Sequence, residues 1–63
     1  MIFKYKNERE RRHALNQALK NVKIIALKEQ TIVYIVQEKN RYNITKKLPE
    51  YLKNLVYWSK NGE

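Results

Sequence analysis

Only one of the 63 residues is glycine, and it stands at position 62. Every internal reversal must therefore be built without the residue that enters left-handed backbone freely. Asparagine tolerates that conformation next best. Asn7, Asn21, Asn40 and Asn43 stand where the hydrophobic pattern changes. Asn7 precedes a helical stretch and Asn21 follows it, while Asn40 and Asn43 lie about a reversal. The segments between these positions are short, and they predict one small domain, residues 1–63, with no repeat, linker or low-complexity stretch.

Residues 2–6 alternate, with Phe3 and Tyr5 on one side and Lys4 and Lys6 on the other, which predicts a short strand. Residues 8–20 change to a helical period, with Ala14, Leu15, Ala18 and Leu19 on a common face and Val22 extending it. Asn7 suits the N-cap, and Glu8 and Glu10 suit the positive end of the helix dipole. Residues 22–28 and 31–38 are rich in β-branched side chains and predict a strand pair. Glu29-Gln30 is poor hairpin chemistry, so the competing parse is a first helix that runs on into Ala26. Residues 41–46 alternate again, Tyr42 and Ile44 opposite Arg41, Asn43 and Thr45, with Lys39-Asn40 closing a hairpin. Residues 48–60 place Leu48, Tyr51, Leu52, Leu55, Val56 and Trp58 on a wide arc, predicting a last helix with Pro49 in its first turn.

The expected class is α+β, in the order β-α-β-β-β-α, an antiparallel sheet packed with two helices. The α-β-β-β-α part of this order is similar to that of double-stranded-RNA-binding domains. That similarity would place Lys46-Lys47 near the basic residues which the family presents at its final helix. The family's glycine-containing loop with its histidine has no counterpart here.

A chain of this length buries only ~60% of the surface its unfolded form exposes. Such cores are commonly supported by disulfides, a metal or a partner chain. Cysteine and aspartate are absent and His13 is the single imidazole, so no disulfide or recognisable metal spacing exists and no cofactor is expected. The expected middle strands are apolar on both sides, as Ile32, Tyr34 and Val36 alternate with Val33 and Ile35. Either the two helices cover opposite faces, or they share one and a second chain covers the other; the small core favours the homodimer. The longest uninterrupted apolar run, residues 32–36, is too short to span a bilayer, and residues 1–6 lack the pattern of a signal peptide. No membrane association and a cytoplasmic location are expected.

Fourteen Lys and Arg against six acidic residues give a formal net charge of +8. An excess this dense attracts polyanions. The Lys, Asn, Ile and Tyr bias of AT-rich coding sequence accounts for many lysines, but less well for four arginines and no aspartate. At ~100° per residue, Arg9, Arg12, His13, Asn16 and Lys20 fall on one stripe opposite the Ala/Leu face. The bland account is a solvated face with Glu8–Arg12 pairing; the functional account is a row of phosphate contacts. Arg11 lies nearer the apolar side, where its stem can lie along the core margin.

Lys46-Lys47 would stand at the N-terminus of the last helix, where only a bound anion offsets the unfavourable dipole. Lys4, Lys6 and Arg41 add to the basic set. Among the aromatics, Tyr42 and Tyr57 are candidates for stacking on bases, whereas Phe3, Tyr34, Tyr51 and Trp58 suit the core.

No Cys nucleophile, Ser–His spacing or Gly-rich phosphate loop occurs, so an enzyme is not expected. The expected function is nucleic-acid binding, DNA or RNA, by backbone or shape readout in a regulator or accessory factor. The alternative is a small interaction module or inhibitor, such as mobile elements encode, that docks on an acidic or nucleic-acid-binding surface of a larger protein.

Overall fold

A computed structural model describes residues 1–61. Its elements are β1 (Ile2–Lys4), α1 (Glu8–Glu29), β2 (Ile32–Glu38), β3 (Arg41–Thr45), a 3-10 turn (Leu52–Asn54) and β4 (Leu55–Lys60). The strands form one sheet in the order β1-β3-β2-β4, with every neighbouring pair antiparallel. The helix packs across one face. The class is α+β, as expected, but the order of elements differs at two places.

The first difference is the length of α1. Residues 22–28 continue the helix and do not form a strand. Ala14, Ala18, Val22 and Ala26 recur at a spacing of four and are all buried, so the stripe that begins the helix simply runs on. Packing that stripe against the sheet outweighs the weak β preference of Ile24 and Ile25. Three of the four are alanines, which let the helix axis lie close to the strands. Asn21, expected to end the helix, sits inside it and donates from Nδ2 to the Gln17 carbonyl at 2.8 Å.

Asn7 is the N-cap, as expected: its side chain accepts from the Glu10 N–H at 2.9 Å. At the other end Gln30 takes left-handed backbone with φ of 50°, and the Thr31 N–H reaches the Ala26 carbonyl at 3.2 Å. This is the bond pattern of a glycine-terminated helix made without glycine, and Gln30 bears the steric cost that glycine would avoid.

The second difference lies at the C-terminal end. The expected last helix over residues 48–60 is replaced by the 3-10 turn and β4. β2 is central and needs a partner along each edge; β3 takes one and β4 the other. The β4 pairing carries a bulge, with Ile35 opposite Tyr57 and Val36 opposite Leu55, so Val56 is the extra residue. Without a final helix, the similarity to double-stranded-RNA-binding domains does not extend to this fold.

The hairpin between β2 and β3 turns at Lys39-Asn40, as expected, with Glu38 opposite Arg41. Neither turn residue has positive φ, which excludes a primed turn. The Asn40 carbonyl instead accepts from the Tyr5 N–H at 2.9 Å, extending the β1–β3 pairing beyond β1.

The core is Ala14, Ala18, Val22 and Ala26 against Val33, Ile35, Tyr42 and Ile44, flanked by Phe3, Tyr5, Leu15, Leu19, Ile25 and Tyr57. The opposite sheet face carries Ile2, Ile32, Tyr34, Val36, Leu55 and Trp58 among polar residues, following the strand alternation and register. The segment from residue 46 to residue 51 crosses part of that face: a cleft beneath it is lined by Val36, Asn43 and Thr45 from the sheet and by Lys47, Leu48, Pro49 and Glu50 above. The face that was expected to need a second chain is thus partly crossed by the chain itself.

Candidate nucleic-acid interface

The three arginines at the start of α1 have different fates. Arg11 makes two bonds to the Glu8 carboxylate, at 2.8 Å from Nε and 2.6 Å from Nη2. Its Nη1 donates to the hydroxyl of buried Tyr42 at 2.8 Å. Arg11 is therefore structural, its stem on the core margin as the helical spacing implied. Arg12 approaches Glu8 at 3.5 Å but keeps 77% of its side chain exposed. Arg9 is exposed and makes no ion pair with any described residue.

The Arg11 bonds hold the Glu8 carboxyl at about 2, below the usual 4.5. Glu8, and after it the Tyr42 hydroxyl, push the Arg11 guanidinium upward. A depressed carboxyl stabilises the fold above its unfolded value and loses that contribution as pH falls through its folded value. The Glu8 contribution should therefore fade between pH 4.5 and about 2. Solvent screens this exposed pair, so the effect is small and shrinks further with added salt. Far-UV circular dichroism of Glu8→Gln should show a weaker acid dependence over that window; identical acid curves would remove the pair from the stability of α1.

The exposed cations meet along the β1 edge. One groove between β1 and α1 is lined by Ile2, Phe3, Lys4, Arg9, Glu10, His13, Ala14 and Gln17. An adjoining depression on α1 is formed by Glu8, Arg9, Arg12, His13 and Asn16. A third, at the hairpin, is formed by Lys4, Lys39, Asn40 and Arg41. Arg9 and His13 belong to the first two, and Lys4 to the first and third. Through these shared residues the three depressions make a track from the outer face of α1, over the β1 edge, to the β2–β3 turn, with Lys4, Arg9, Arg12, Lys39 and Arg41 as its cations and Glu8 and Glu10 in its lining.

Among the described residues, Glu8 and Glu10 line this track and Glu38 lies beside one of its arginines. Glu8 is engaged by Arg11. Glu10 accepts from Asn7 Nδ2 at 3.1 Å. Glu38 lies 3.9 Å from Arg41.

The expected site residues therefore divide. Lys4, Arg9, Arg12, Asn16 and Arg41 line the track. Lys20 is exposed further along α1. Lys6 is exposed but lines none of the three depressions. Lys46 and Lys47 lie by the far end of α1, in a depression with Met1, Ile25, Glu29, Val33, Ile44 and Thr45. Arg9 and Glu29 are about 30 Å apart along the helix axis, at 1.5 Å per residue. Lys46 pairs with Glu29 and sits at the negative end of the helix dipole. Among the described residues no α-helix begins at Lys47, so the helix N-terminus expected to hold an anion there is absent. The Lys47 N–H is instead satisfied by the Thr45 hydroxyl at 3.1 Å.

The longer helix exposes three residues that the expected stripe omitted: Lys23, Ile24 and Leu27. They continue the outer face of α1, and only the full helical parse would have placed them there. The aromatic assignments also change. Tyr42 is 1% exposed and stacks at a tilt against Tyr5, ring centroids 5.3 Å apart, so it cannot meet a base. Tyr57 packs against the core. Trp58 and Tyr51, expected inside, are 52% and 62% exposed.

No helix among the described residues is long and apolar enough to cross a membrane. Comparison of the chain with protein-family models, curated proteins and solved structures gives no match.

Proposed function

We propose that the protein binds nucleic acid in the cytoplasm, chiefly through phosphate contacts along the track formed by Lys4, Arg9, Arg12, Asn16, Lys39 and Arg41, with Lys20 and Lys23 extending it along α1. The single observation behind this reading is that the β1–α1 groove joins strand and helix cations in one depression. Arg41 is distant in sequence from Lys4 and Arg9, and the sheet register brings it opposite Lys4. Arg11, held by Glu8 and Tyr42, is not part of it. Phosphate contacts of this kind fix position and carry little sequence information. A regulator or accessory factor would use them with modest selectivity.

A triple variant, Arg9→Gln, Arg12→Gln and Lys20→Gln, tests the reading. All three side chains are exposed, so the melting temperature should change little. The slope of log affinity for duplex DNA against log salt should flatten by roughly 2 to 3, near 0.9 for each phosphate that is no longer neutralised. A triple variant that binds as the parent does would return the stripe to ordinary solvated surface.

A second reading, docking on an acidic surface of a larger protein, is favoured by Ile24 and Leu27. They are 62% and 65% exposed on α1 beside lysines, and phosphate binding gives them no role. Failure to bind any nucleic acid, together with capture by one acidic protein, would favour it.

A further inference from the structure

On the sheet face away from α1, the register aligns Thr45, Tyr34 and Trp58 across β3, β2 and β4. Tyr34 and Trp58 are direct cross-strand partners, so their Cβ atoms lie about 5 Å apart on the same face. Tyr34 is half-buried and gives the row a fixed base, while the Trp58 indole is 52% exposed. Lys60 projects on the same side of β4, about 7 Å beyond Trp58 at the usual strand rise. Lys47, two residues after Thr45, lines the cleft on this face together with Thr45, Val36 and Glu50. Exposed rings bordered by cations are what a chain of unpaired nucleotides requires: a flat apolar surface for the base, with an ammonium group for each neighbouring phosphate.

We infer that the Trp58–Tyr34 row, bordered by Lys47 and Lys60, is a stacking platform for the bases of a single-stranded nucleic acid. The assignment rests on the nucleic-acid reading above and adds to it a ligand class. Duplex DNA presents its phosphates to the α1 track, but its bases are already stacked and cannot lie on Trp58. Single strands can use both surfaces. Charge selects this occupant over a second copy of the chain: each molecule carries +8, and Lys47 and Lys60 on facing copies would repel. Exposed Tyr51 does not compete, because the Lys53 ammonium lies 5.9 Å from its ring centroid and covers one face of it.

Trp58 is the only tryptophan, so its fluorescence reports directly on the platform. The protein is titrated with an oligothymidylate, a DNA duplex of equal length, and inorganic polyphosphate. The single strand should quench Trp58, while the duplex and polyphosphate should bind without comparable quenching. Trp58→Ala should weaken single-strand binding roughly 5- to 100-fold, measured by anisotropy of a labelled strand, and leave duplex binding unchanged. Trp58→Phe should recover much of the loss, which also guards against misfolding of the alanine variant. Unquenched fluorescence with intact duplex binding would overturn the platform while leaving the basic track standing. Absence of binding to all three polyanions would overturn both. A dimer in sedimentation that Trp58→Ala dissociates would assign the row to a second copy instead.

Discussion

Replacing Tyr42 with alanine should remove the larger part of the protein's folding free energy. The ring is 1% exposed, sits in the core beside Ile35 and Ile44, and meets Tyr5 at 5.3 Å. Its hydroxyl accepts from Arg11, and its backbone pairs with Phe3 on one side and Gln37 on the other. Truncating a buried aromatic costs about 3–5 kcal/mol. A domain of this length holds only about 3–9 kcal/mol in total, at 0.05–0.15 kcal/mol per residue. The alanine variant also leaves the Arg11 guanidinium without its inner partner. Tyr42→Phe removes only the hydroxyl and should stay folded with a small loss. Urea titration followed by circular dichroism separates the two. An alanine variant that unfolds at the parent's midpoint would mean that Tyr42 is not in the core.

Ile35→Ala should cost about 2–5 kcal/mol, the next largest loss. Ile35 is fully buried on the central strand, with Ile44 opposite it on β3 and Tyr57 opposite it on β4. The cavity would open where the helix and three strands meet. The edges of the sheet cannot close over it without breaking the β2 pairing that orders them. The same urea titration reads the effect as a lower midpoint with the slope unchanged. A loss below ~1 kcal/mol would place Ile35 in a looser site, because that is the range of a well-tolerated apolar change.

Much of this core was legible in the sequence. The alternation in residues 31–38 and 41–46 located β2 and β3 to within a residue, and Asn7 marked the start of α1. The tail of α1 was obscured because Ile24 and Ile25 favour strands locally, while the continuing spacing of Val22 and Ala26 stabilises a helix only when a sheet lies beneath it. Residues 48–60 misled for the converse reason. Leu48, Tyr51, Leu52 and Leu55 recur at helical intervals, although the structure exposes the first three. Buried Ser59 hides the alternation of β4 from a count of apolar residues.

The site was legible in part. Helical spacing placed Arg9, Arg12, Asn16 and Lys20 on one exposed face without knowledge of the fold. It could not show that Lys4 and Arg41 join them, since that depends on the β1–β3 register. Tyr42 carried its own signal, for it shares a strand face with Ile44. The exposure of Trp58 carried none, because it follows from the strand that replaces the expected helix.

Amide chemical-shift mapping during titration with a short DNA duplex is the decisive test of the basic track. Perturbations should gather at Lys4, Arg9, Arg12, His13, Asn16 and Arg41, and should fade as salt is raised. Saturable binding that leaves the first half of α1 and the β1 edge unshifted would rule the track out as the binding surface.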